Sequence, residues 1–139
     1  MGKKVLVLCT GNSCRSQMAH GFLKTYAANG TEVYSAGVET HGVNPKAIAA
    51  MKEINIDISQ HTSNNVDEYL DIDFDYIITV CDSAKERCPV LPSRATKFHQ
   101  SFPDPFGATG TPEEVAAVFN GVRDQIDVYC KEFASAYLR

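Results

Sequence analysis

The sequence predicts a single-domain α/β fold, a four-stranded, mostly parallel sheet flanked by helices. Three observations predict it. Strand-like and helix-like segments alternate along most of the chain, the first and third strand segments are short apolar runs, and 139 residues suffice for one core without a linker or repeat. The order read from the pattern is strand, helix, strand, helix, strand, strand, helix.

Lys4–Leu8 is a buried strand that stops at Cys9 and the turn-formers TGNS. Met18, Ala19, Phe22, Leu23 and Tyr26 then fall at helical spacing, up to the stop signal Asn29-Gly30. EVYSA alternates over Glu32–Ala36 and is closed by Gly37. Asn44-Pro45 caps a second helix whose inward face is expected to be Ile48, Met51 and Ile54. Val66–Leu70 suggests a short helix. Tyr76–Val80 is a β-branched central strand, and Thr96–Phe98 a weaker one. Between them DSAKERCPVLP reads as a loop with one helical turn. The last helix starts near Pro112 and carries the stripe Val115, Phe119, Val122, Ile126, Tyr129, Phe133.

Composition narrows the function. A net charge of −4 argues against a general nucleic-acid binder, while one local anion site remains compatible with it. No apolar run approaches the roughly 20 residues of a membrane span, so no membrane association is expected. The start MGKKVLVLC is too short in its apolar part for a signal peptide, and a cytoplasmic location follows as an expectation. The five cysteines, at 9, 14, 81, 88 and 130, are an odd number for a disulfide framework. Their spacings match no zinc ribbon or finger, so no metal site is expected among them. Packing and reactive roles both remain open.

In open α/β sheets ligands bind outside the carboxyl ends of strands, and the first and third strands end at Cys9 and Cys81. The loop CTGNSCRS joins that first strand to a helix N-terminus. The amides of Thr10, Gly11, Asn12, Ser13 and Cys14 can therefore cradle a tetrahedral oxyanion, gripped by the Arg15 fork. The same positive environment is expected to lower the pKa of Cys9, with Ser16 donating a hydrogen bond to its thiolate. A lone strand-end cysteine would be read as packing. The combination with Gly11, Asn12, Arg15 and Ser16 favours a nucleophile set in an anion cradle.

CTGNSCRS resembles the C-x5-R-S loop of the low-molecular-weight protein tyrosine phosphatase fold. Within that fold, TGNSCRSQMA, VYSAGVETHGVNPKAIAAMKE, IDIS, HTS and the Cys81–Cys88 pair resemble the thioredoxin-coupled arsenate reductases. The resemblance runs from about residue 3 to the C-terminus. It implies that Asp104, in SFPDPFG, is a general acid on a mobile loop. It also implies reduction of arsenate to arsenite through a relay of Cys9, Cys81 and Cys88, with the final disulfide presented to thioredoxin. Cys14 and Cys130 fall outside that relay. Implied ligands are arsenate, phosphate and sulfate; no cofactor and a monomeric state are expected.

Two alternatives share parts of the pattern. A phosphatase would use the same loop and Asp104, but adjacent tyrosines typical of that branch do not follow Val80. A thiol-based arsenite or metal binder would leave Arg15 and Asp104 without a role. Some members of the resembling family hold potassium beside the loop with an Asn, a Ser and two carboxylates. Here Asn12 and Ser35 match, but His20 and Asn64 stand in place of the acids, so little potassium dependence is expected.

Overall fold

Four strands run parallel in the order β2-β1-β3-β4 in the computed structural model, which describes residues 2–81 and 95–139. The strands are β1 (Lys4–Cys9), β2 (Glu32–Gly37), β3 (Tyr76–Thr79) and β4 (Thr96–His99). The helices among the described residues are α1 (Arg15–Tyr26), α2 (Pro45–Lys52) and α3 (Pro112–Tyr137), with short 3-10 turns at Val66–Tyr69 and Pro105–Gly107. The sheet is parallel throughout, as expected where β-strands alternate with helical crossovers.

β1 lies at the centre and Val5, Leu6, Val7 and Leu8 are fully buried, which is why it reads as a continuous apolar run instead of an alternating one. Its ladder continues one residue past the expected end, pairing Cys9 with Gly37. β3 ends at Thr79, one residue early, although the Val80 amide still donates to Leu8 O at 3.0 Å. Both strands thus deliver a cysteine to the same carboxyl edge.

The helix signals hold with one correction. Asn44 caps α2 through Lys46 N at 2.8 Å, and Thr111 and Glu114 form a reciprocal capping box on α3. The buried face of α2, however, is Ala47, Ala50 and Met51, with Ile48 and Ile54 half-buried at its margin. The small side chains face α3, where buried Arg123 donates through Nη1 to Ala50 O at 2.9 Å. A bulkier residue at 50 would obstruct that approach. On α3 the expected stripe is inward except that Tyr129 is half-buried and Cys130 fully so.

Residues 82–94, which include Cys88 and for which a loop with one helical turn is expected, lie outside the described residues.

Candidate active site

β1 ends at Cys9 and α1 begins at Arg15, leaving five residues to turn the chain. Asn12 makes the turn possible by adopting a left-handed φ of 48°, a conformation asparagine tolerates better than most residues. Its fully buried side chain fixes the loop from within. Nδ2 donates to Ser16 Oγ at 2.8 Å, and Oδ1 accepts from the Asn64 amide at 2.8 Å.

The carbonyls of the loop are all tied down from outside. Val38 N donates to Cys9 O, Glu39 N to Thr10 O, His41 N to Gly11 O, Asn44 N to Ser13 O, and Met18 N to Cys14 O. Asn12 O accepts from Gln17 Nε2 at 3.1 Å. In a planar trans peptide the C=O of one residue and the N–H of the next point in opposite directions. Carbonyls held outward therefore turn the following amides inward, and the loop becomes a concave row of N–H donors at a helix N-terminus. Gln17 and the segment Thr62–Asn64 secure this arrangement from beneath: Gln17 Nε2 also donates to Thr62 O, and Ser63 Oγ to Gly11 O. From the sequence, HTS and Asn64 stand out for the resemblance and for potassium, with no role in supporting the loop given to them or to Gln17. The available signal was Gln17, a polar residue on the inward side of an apolar helix.

Arg15 closes the site. Its Nη1 donates to Phe102 O at 3.2 Å and its Nη2 lies 3.5 Å from Asp104 Oδ2. Its Nε is buried and has no hydrogen-bond partner among the described residues. A buried charged donor left unpaired is costly, and an oxyanion seated in the loop would satisfy it. Asp104 reaches Arg15 because the chain leaving β4 follows the sheet's carboxyl edge, with Gln100 N on Thr79 O and Phe102 N on Val80 O. Cys9, Arg15 and Asp104 thus share one pocket of about 500 Å³, whose outer rim carries Val43, Pro45 and Phe106.

Cys81 arrives beside the loop. Its Sγ is 3.1 Å from Thr10 Oγ1, and its thiol is coupled electrostatically to that of Cys9. That neighbour corrects the expectation of a depressed Cys9 pKa. The Cys81 thiol beside it and burial push the Cys9 thiol well above its ordinary value, outweighing Arg15 and the Ser16 amide, which pull it down. The backbone N–H of Ser16 donates to Cys9, whereas its hydroxyl accepts from Asn12. Cys14 lines the pocket, with burial pushing its thiol up to about 11, and Cys130 is buried against Ala19 O; both remain thiols.

The engaged oxygens of Ser35 and Asn12 do not fit potassium. Ser35 Oγ is engaged with His20 Nδ1 at 2.8 Å, and Asn12 Oδ1 is engaged by Asn64 N. Burial holds the His20 pKa down, to about 3, so the ring is a neutral hydrogen-bonding group. No group of three or more His, Cys, Asp or Glu side chains is placed to hold a metal among the described residues.

A parallel sheet with a Cys-to-Arg anion loop at its carboxyl edge matches a known family along nearly the whole chain, the low molecular weight phosphotyrosine protein phosphatases, over residues 4–139. The chain belongs to that family. Within it, the chain is 53% identical to an arsenate reductase of Halalkalibacterium halodurans over 135 residues, covering 96% of this chain and 97% of that protein. An arsenate reductase of Bacillus subtilis is 48% identical over 132 residues, covering 95% of each. A solved arsenate reductase in the phosphate binding state superposes with a TM-score of 0.78 at 35% identity, covering 96% of this chain and 98% of that one. The family's phosphatase and reductase members thus bracket the chemistry this loop can perform. Among the described residues no helix is long and apolar enough to cross a membrane.

Proposed function

We propose that the protein reduces arsenate to arsenite through Cys9, Cys81 and Cys88, and that thioredoxin reduces the resulting disulfide. The observation that carries this reading is Cys81 held beside the Cys9 loop, its Sγ 3.1 Å from Thr10 Oγ1 and its thiol coupled electrostatically to Cys9. A hydrolase has no use for a second thiol beside its nucleophile.

In the proposed sequence Cys9 gives its thiol proton to an oxygen of the bound arsenate and its sulfur attacks arsenic, forming an S–As bond, and an arsenate oxygen leaves as water after protonation by Asp104. Cys81 then attacks Cys9 Sγ. The S–S bond forms as the S–As bond breaks, and its electron pair stays on arsenic, giving arsenite. Cys88 attacks Cys81, Cys9 leaves as a thiolate, and thioredoxin reduces the Cys81–Cys88 disulfide by exchange. Arg15 and the amides of residues 10–15 bind the oxyanion and its transition state. Cys88 enters from the sequence alone. No resident cofactor or metal is needed, and the enzyme works as a cytoplasmic monomer.

The test follows NADPH loss with arsenate, thioredoxin and thioredoxin reductase. Turnover in the wild type and its loss in Cys88→Ser supports the relay; unchanged turnover in that variant rejects it. Mass spectrometry after one turnover should locate a Cys81–Cys88 disulfide.

A second reading, phosphomonoester hydrolysis, is favoured by the apolar rim, where Phe106 is 72% exposed beside the pocket. Efficient aryl phosphate hydrolysis with no arsenate reduction would select it.

A further inference from the structure

The segment between β2 and α2 is laced to the anion loop by the bonds from Glu39 N to Thr10 O and from His41 N to Gly11 O. This brings the His41 imidazole against Gly11. A Cβ placed on Gly11 would lie 2.6 Å from His41 Nδ1, so the ring occupies space that only a glycine leaves open. The opposite ring nitrogen, Nε2, is 3.8 Å from Glu39 Oε1, with both side chains about half-exposed. The ring therefore stands at the mouth of the pocket that holds Cys9 and Arg15, with a carboxylate behind it.

Charge makes this position consequential. Among the described residues lining the pocket, Arg15 and His41 are the two that can be cationic. Arg15 already faces the carboxylate of Asp104 at 3.5 Å, and the whole chain carries −4. Among the described residues, the titratable and charged groups around His41 are Glu39 behind it, and Cys9, Cys14, Arg15 and Asp104 across the pocket. From these residues a dianion entering the loop meets little uncompensated positive side-chain charge unless the imidazole supplies it.

We propose that His41 is an anion-binding residue of this site, its imidazole oriented by Glu39 to contact the outward-facing oxygen of the bound oxyanion. It raises affinity and takes no part in the thiol chemistry. The inference rests on the reading of the loop as an oxyanion site.

The test is calorimetric titration of the full-length reduced protein with inorganic phosphate, which binds without redox turnover, alongside steady-state arsenate kinetics. His41→Gln should weaken phosphate binding about 3- to 10-fold and raise KM by the same factor, with kcat within about twofold. His41→Lys, which keeps a cation, should restore affinity to within about twofold of the wild type. Phosphate affinity unchanged in His41→Gln overturns the proposal. Equal losses in the Gln and Lys variants, or a fall confined to kcat, also overturn it, since they describe a ring that only packs on Gly11. His41-dependent phosphate binding in a protein that never reduces arsenate would leave this inference standing and remove the reductase reading.

Discussion

Thr10 Oγ1 lies 3.1 Å from Cys81 Sγ, linking the residue after Cys9 to the thiol two positions past β3. The two are 71 positions apart in the chain, and parallel pairing of β1 with β3 brings them together. A hydroxyl at this distance can donate to the Cys81 thiolate and hold it next to Cys9. Thr10→Val keeps the shape and removes the donor. A hydrogen bond to a charged group is worth about 1.5–3 kcal/mol, so arsenate turnover should fall roughly 10- to 100-fold. Phosphate affinity should change by less than about twofold. Unaltered kcat in Thr10→Val would show that the contact is not used in the reaction.

The Cys9 thiol is raised chiefly by the Cys81 thiol beside it. Removing that partner should lower its pKa and expose more thiolate at neutral pH. Alkylation of Cys9 by iodoacetamide, followed by peptide mass spectrometry at pH 7, should be faster in Cys81→Ala than in the wild type. An equal or slower rate would assign the raised pKa to burial alone.

His20 is held neutral in the folded protein, its pKa lowered to about 3 by burial and by neighbouring His61 and Lys24. The unfolded chain binds this proton at an ordinary histidine pKa near 6.5. Between those values the unfolded state binds more protons, so stability rises with pH. The His20 contribution is complete above about 6.5 and is lost as the pH falls toward 3. His20→Asn should flatten the denaturation midpoint between about pH 6.5 and 4, relative to the wild type. Parallel curves for the two proteins would reject the assignment.

Ser35 bonded to His20, and Asn64 bonded through its amide to Asn12, leave a poor site for a hard cation. Melting temperature and KM for arsenate should be the same in potassium and sodium chloride at matched ionic strength. A potassium-specific rise in melting temperature would contradict this.

Much of this protein is legible in its local sequence. The apolar run before Cys9, the Asn44-Pro45 cap and the Thr111-to-Glu114 box each carry their own short-range physics, and each element formed where that physics placed it. The α2 face was misread because Ile48 is more apolar than Ala50. What buries a helix face is the neighbour, and Arg123 of α3 selects the small residue.

The sequence by itself determined the loop from Cys9 to Ser16, since Cys9, Asn12, Arg15 and Ser16 lie within one strand–turn–helix and interact over a few residues. Only the tertiary structure decided the protonation state of Cys9. That depends on Cys81 reaching it from the neighbouring strand, on burial, and on the fixed charge of Arg15 competing with both. Thr62–Asn64 under the loop and His41 over Gly11 belong to the same class. Their contacts span tens of residues, and no local pattern encodes a distance that the packing of the sheet creates.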